Sequence, residues 1–210
     1  MEEWLLASNC PWAAVVLPFD ANICTWFGAF AHQNPVFLRI MKLSRYLFST
    51  WVYVALAAAL LLRQDRWRAL VGFAVPVGAC FGTVHLLKFV IGRARPDQNF
   101  GPFHFDLFGD PFAGLDGLPS AHTAAAVLLT ALLFRYYPRS AWLLVPAAIL
   151  ASLSRVAQER HYLSDVIVGA GIALLTVWLC VQLLGREFYP SFVRRAAPDS
   201  SSSESHCPSA

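Results

Sequence analysis

His161 and Asp165 stand four residues apart in the stretch SRVAQERHYLSD, Ser154 to Asp165. At the start of a helix that spacing sets a carboxylate beside an imidazole, where it can take the proton of one ring nitrogen and aim the other at a substrate as a nucleophile. A second imidazole, His122, closes the sequence PSAH (Pro119 to His122) and suits protonation of a leaving oxygen followed by activation of water. Lys88 and Arg95, seven residues apart in KFVIGRARP, join Arg155 as three cations. Pro96 pushes Arg95 out of helical geometry, because the residue before a proline avoids the helical region. Guanidinium groups contact phosphate oxygens in bidentate fashion, so the set describes a site for a tetrahedral anion. Ser120 and the backbone N–H groups near the following helix start add donors where the helix dipole also favours negative charge. Phosphate-ester hydrolysis is among the slowest uncatalysed reactions, which gives covalent catalysis and charge stabilisation work to do.

Composition indicates what must hold these groups. The chain has 210 residues, 57% hydrophobic and only 14% charged. Soluble domains run to about 45–50% apolar and about 25% charged. The expectation is an all-α integral membrane protein, a polytopic bundle of about five to six spans in one domain. Apolar runs at Tyr46 to Leu62, Ala69 to Ile91, Ala121 to Phe134, Ala141 to Leu153 and Val166 to Leu184 are the five candidates. The third and fourth reach spanning length only with their polar flanks, since a crossing takes about 20 residues.

Residues 1–195 form the expected membrane domain. At its N-terminal end Trp4 to Leu17 holds Pro11 and is short, and Phe19 to Phe37 is broken by Asp20, Asn22, His32, Gln33 and Asn34. Both read as interfacial helices, with a sixth span beginning near Ala13 as the alternative. Glu2 and Glu3 do not make the positive region of a signal peptide. Residues 196–210 are Ser-rich and expected to be disordered. The five cysteines, Cys10, Cys24, Cys80, Cys180 and Cys207, have no spacing suited to a zinc cluster or a disulfide framework.

In a five-span arrangement KFVIGRARP, PSAH and SRVAQERHYLSD reach the same membrane face. Eight basic residues fall on each side; reserving Lys88, Arg95 and Arg155 for the site leaves eight against five and puts the opposite face in the cytoplasm. The site then faces the outer or periplasmic side of a cytoplasmic membrane.

Lys88 with Arg95 and Pro96, then Pro119-Ser120-Ala121-His122, then Ser154-Arg155 with His161 and Asp165, resemble the three-part signature of the type 2 phosphatidic acid phosphatase superfamily in order and spacing. The resemblance implies a lipid phosphatase that needs no metal or other cofactor and has no nucleic-acid partner. It assigns His161 to a phosphohistidine intermediate, Asp165 to its orientation and His122 to general acid and base catalysis. Lys88, Arg95, Ser120, Arg155 and the backbone at Ala121 would hold the phosphoryl oxygens, with Ser154 in support. Ala121 departs from the glycine usual before the family's histidine, and its methyl group is strained only if φ is positive.

Other residues have weaker claims. His85 lies one turn before Lys88, as second support or as a plain helix histidine. The loop GPFHFDLFGDPFAGLDG reads as an interfacial lid or as a packed connector, and Arg93 with Arg160 as holders of a second phosphate. The expected reaction is hydrolysis of a lipid phosphate or diphosphate. Polyprenyl diphosphate is slightly favoured over phosphatidylglycerophosphate, phosphatidic acid and lipid A phosphates. A phosphotransferase, a vanadate-holding haloperoxidase and a non-catalytic binding or transport protein are the alternatives. The five apolar runs argue against the haloperoxidase, and the presence of both histidines against the non-catalytic protein. Oligomeric state is open.

Overall fold

The computed structural model describes residues 11–62, 64, 66–98, 100–109 and 114–185. Its helices are α1 (Pro11–Gln33), α2 (Pro35–Ser44), α3 (Thr50–Leu61), α4 (Arg66–Ile91), α5 (Ala121–Tyr136), α6 (Ala141–Ala157) and α7 (Leu163–Leu184). Among the described residues the strand-like pairing is a single bridge between Arg93 and Phe105. The protein is thus an all-helical, multi-pass membrane fold, as composition requires.

Four helical runs are long and apolar enough to cross a membrane: Pro35–Leu61, Arg66–Ile91, Pro138–Ala157 and Leu163–Leu184. The first joins α2 to α3 through a 3₁₀ turn at Arg45–Phe48. Helix α5, expected as a span, has 16 residues. At 1.5 Å per residue it is about 24 Å long, short of a hydrocarbon core of about 30 Å. Its beginning is pinned at the site: the Ser120 N–H donates to the Asp165 carbonyl at 3.1 Å.

The N-terminal stretch is one helix where two interfacial pieces were expected. Helix α1 runs continuously through Pro18 and ends where Asn34 precedes Pro35. A proline inside a helix removes one backbone bond and bends the helix without necessarily ending it. This helix packs on α6 and α7. The expected interfacial residues from Trp4 to Cys10 and the tail at 196–210 lie outside the described residues.

Helix α5 is the hub, packed by α4, α6 and α7. Ala124, Ala125 and Ala126 are buried in it, and such small side chains let neighbouring helices approach closely. On α7, Gly169 allows the closest contact: a Cβ there would lie 2.6 Å from the Ser120 carbonyl oxygen. The outer surface is apolar, with Trp26, Trp51, Trp67, Trp142 and Leu183 exposed, as lipid contact requires.

Candidate active site

The end of α4, the start of α5, the end of α6 and the start of α7 meet at one end of the bundle. The described residues of the connection between α4 and α5, 92–98, 100–109 and 114–118, pack against them. Its return is fixed by backbone bonds from Ala94 to the His104 carbonyl, from Asp106 to that of Gly92 and from Phe108 to that of Val90. Gly92 makes the turn at φ +54, where a side chain is strained. The described part is therefore a packed connector, though Phe100, Leu107 and Phe108 remain exposed at its surface. His104 stacks on Phe100 with ring centroids 4.7 Å apart, within this connector.

His161 is buried just before α7. Its Nδ1 lies 2.8 Å from the Gly117 carbonyl oxygen. A carbonyl only accepts, so the neutral ring carries its proton on Nδ1 and its lone pair on Nε2. Burial lowers the pKa of His161, and the nearby Asp165 only partly offsets it, so the neutral form is favoured. The ring is thus oriented differently from the simple His–Asp bond expected. The Asp165 Oδ2 is 3.7 Å from Nδ1, too far for a hydrogen bond. Instead it accepts from the Tyr162 N–H at 2.9 Å, fixing the first turn of α7.

Asp165 is engaged by a residue that sequence reasoning placed elsewhere. Arg93 is fully buried and donates from Nη1 to Asp165 Oδ1 at 2.5 Å and to Ser164 Oγ at 2.6 Å. From Nη2 it reaches Asp20 Oδ2 of α1 at 3.0 Å, and from Nε the Pro102 carbonyl at 3.0 Å. Its guanidinium also lies 4.5 Å from the Tyr162 ring centroid. Asp20, fully buried, accepts in addition from the Ser164 N–H at 3.0 Å and from the Ser164 hydroxyl. Arg93 is therefore saturated by protein groups and is not placed to hold a second phosphate. Arg160, the other residue considered for that task, is exposed and pairs with Asp97 at 2.9 Å.

Lys88 and Arg95 converge on Asp116, whose carboxylate lies where both cations can reach it. Arg95 donates from Nη2 to Oδ2 at 2.7 Å, and its Nε lies 2.7 Å from Oδ1 as an ion pair without hydrogen-bond geometry. Lys88 Nζ donates to the Asp116 carbonyl and lies 3.5 Å from Oδ2. Burial pushes the Asp116 carboxyl up, but Lys88 and Arg95 outweigh it and hold the group below the ordinary carboxylate range. Asp116 was read only as a loop residue; the polar side chain two positions before Leu118-Pro119 gave no sign of this pairing.

Arg155, at the end of α6, is buried, and its Nε has no hydrogen-bond partner among the described residues. Ser154 beside it donates to the Ala151 carbonyl at 2.6 Å and belongs to the helix. Ser120 is fully buried as the cap of α5, its Oγ accepting from the Thr123 hydroxyl at 3.1 Å and from the Thr123 N–H at 3.5 Å. The N–H groups of Ala121 and His122 then head a helix with no intrahelical acceptor. Ala121 has no positive φ, so its methyl group brings no backbone strain.

His122 opens onto a cavity of about 660 Å³ lined also by Arg45, His85, Tyr53, Phe81 and Ala125. His85 thus reaches the site as a wall residue. A second groove of about 530 Å³, lined by Thr123, Val127, Val145 and Leu174, is almost wholly apolar and runs between α5, α6 and α7.

Comparison with known proteins fits this constellation. Over 87 residues the chain is 37% identical to a lipid A 1-phosphatase of Rhizobium etli, covering 40% of this chain and 37% of the relative. Over 118 residues it is 31% identical to a lipid A 1-phosphatase of Porphyromonas gingivalis, covering 54% of this chain and 23% of the relative. The aligned segments therefore span well under half the length of these curated relatives. A crystal structure described as a transmembrane PAP2-type phosphatidylglycerolphosphate phosphatase from Bacillus subtilis superposes with a TM-score of 0.59 at 22% identity. The overlap covers 90% of this chain and 94% of that one and shows a shared fold. The model of the PAP2 superfamily matches residues 67–189, a stretch that holds all three polar segments of the site, and the chain belongs to that superfamily.

Proposed function

We propose that this protein is a metal-independent lipid phosphatase that hydrolyses a membrane lipid phosphate or diphosphate through a phosphohistidine on His161. The observation that carries this reading is the buried His161 ring, its Nδ1 proton committed to the Gly117 carbonyl, at the bundle end where the buried Arg155 has an Nε without a hydrogen-bond partner among the described residues. Nε2 attacks phosphorus, the bond to the lipid oxygen breaks, and His122 gives that oxygen its proton. Water then attacks the phosphohistidine while His122 takes its proton, releasing phosphate and restoring both rings. Lys88, Arg95, Arg155 and the N–H groups heading α5 spread the charge of the phosphoryl oxygens. Asp165 offsets positive charge on His161 without bonding to it directly.

The candidate substrates are polyprenyl diphosphate, phosphatidylglycerophosphate, phosphatidic acid and lipid A phosphates, the last supported by the relatives' name, lipid A 1-phosphatase. The site faces the outer side of a cytoplasmic membrane in this reading. Purified protein in detergent with EDTA is expected to release orthophosphate from at least one of these lipids. Folded protein that releases none, but passes phosphate to an added lipid or sugar acceptor, would make it a transferase instead.

Asp116 competes with the substrate for the cradle. Asp116→Asn removes the competing charge, so it is expected to lower KM, and the inhibition constant for orthophosphate, several-fold. A rise in both would mean that Asp116 holds Lys88 and Arg95 in place more than it blocks them.

A further inference from the structure

Arg45 lies in the 3₁₀ turn between α2 and α3, half-buried at the rim of the cavity that His122 opens onto. Its guanidinium stands over the adjacent Tyr46 ring at 5.5 Å, and no carboxylate among the described residues forms an ion pair with it. Four other basic groups at the same end are paired: Lys88 and Arg95 meet Asp116, Arg93 meets Asp20 and Asp165, and Arg160 meets Asp97. Arg155, at the end of α6, is likewise without an ion pair to a carboxylate among the described residues, and its Nε has no hydrogen-bond partner there. A guanidinium that lines a cavity without a counterion of its own is a site where an anionic group of a ligand is stabilised.

The position relative to His122 tells which anion. In the hydrolase reading His122 protonates the leaving oxygen, so the cavity that His122 lines receives the leaving half of the substrate. The walls suit a lipid: Phe48, Tyr53, Val77 and Phe81 are apolar, and Arg45 stands among them as a full charge. A monophosphate ester has no charge at that point, because its ester oxygen leads directly to carbon. A diphosphate has its inner phosphate there.

From this we infer that Arg45 is a specificity residue, forming with His122 a second anion subsite that takes the inner phosphate of a lipid diphosphate. The inference rests on the hydrolase reading of the same site and adds the substrate class. Nε2 of His161 attacks the outer phosphorus, and the bond from that phosphorus to the bridging oxygen breaks. The electron pair stays with the oxygen of the inner phosphate, where Arg45 offsets the charge and His122 supplies a proton. Water hydrolyses the phosphohistidine, so the products are a lipid monophosphate and orthophosphate.

The test compares farnesyl diphosphate with farnesyl monophosphate in detergent for the wild type, Arg45→Gln and Arg45→Lys. The ratio of kcat/KM, diphosphate over monophosphate, is expected to fall roughly tenfold or more in Arg45→Gln, the scale of a lost charge-assisted hydrogen bond. In Arg45→Lys it should be partly kept. An equal fall on both substrates would assign Arg45 to the common cradle or to folding, and no change on either would make it a headgroup anchor; both overturn the inference. Binding of farnesyl methylenediphosphonate, which cannot be hydrolysed, separates this idea from the activity. If the wild type turns over neither substrate yet binds this probe more tightly than Arg45→Gln, the subsite stands and the hydrolase reading falls. Equal binding by the two proteins removes the subsite.

Discussion

His161→Asn is expected to lower phosphate release by at least about four orders of magnitude, the scale on which losing a covalent nucleophile falls. Asparagine is the informative replacement because its amide can still donate toward the Gly117 carbonyl, which His161 Nδ1 reaches at 2.8 Å. Alanine would leave that buried carbonyl unpaired and confuse a folding loss with a catalytic one. His122→Ala is expected to cost less, about 10²- to 10⁴-fold, since it removes proton transfer and leaves the nucleophile in place. Incubating each variant briefly with labelled substrate and quenching in base, where phosphohistidine survives, reads the two steps apart. Label should be absent from His161→Asn and present, slow to turn over, in His122→Ala. Substantial steady turnover by His161→Asn would remove the covalent mechanism altogether.

The sequence made the membrane scaffold legible because lipid imposes composition as well as pattern. Several long apolar runs in so short a chain exceed what a water-facing surface could hide, and those at Ala69 to Ile91 and Val166 to Leu184 coincide closely with α4 and α7. It also placed His161, His122, Lys88 and Arg155 at one end, since motifs at alternate helix ends meet by connectivity alone. What it could not show was how the charges pair. Asp20 precedes Arg93 by 73 residues, and Asp20 looked like a polar residue breaking an interfacial helix. An ionisable group inside an apolar stretch is itself a sign of a buried partner, and that signal was available in Asp20. The spacing of His161 and Asp165 suggested a direct bond, but the acceptor on Nδ1 is a loop carbonyl. No spacing rule reports a carbonyl whose position depends on how residues 92–118 fold back. Asp116 stayed hidden for the same reason.

Arg93→Leu should be the most destabilising single change at this end of the molecule. Arg93 is fully buried between Asp20 and Asp165, which are themselves buried. Removing the cation leaves two carboxylates facing one another without a counterion, and breaking a buried pair costs about 3–5 kcal/mol. Thermal unfolding in detergent is therefore expected to show a large fall in Tm for Arg93→Leu and a smaller one for Asp20→Asn, which keeps an acceptor for Arg93 while removing charge. The family match begins at residue 67, so Asp20 on α1 lies outside it. In this chain α1 nevertheless holds the guanidinium that holds Asp165, and through Ser164 it holds the start of α7. If Arg93→Leu unfolds at the wild-type temperature, the three-residue network does not bear on stability, and the anchoring of α1 must come from its apolar contacts with α6 and α7.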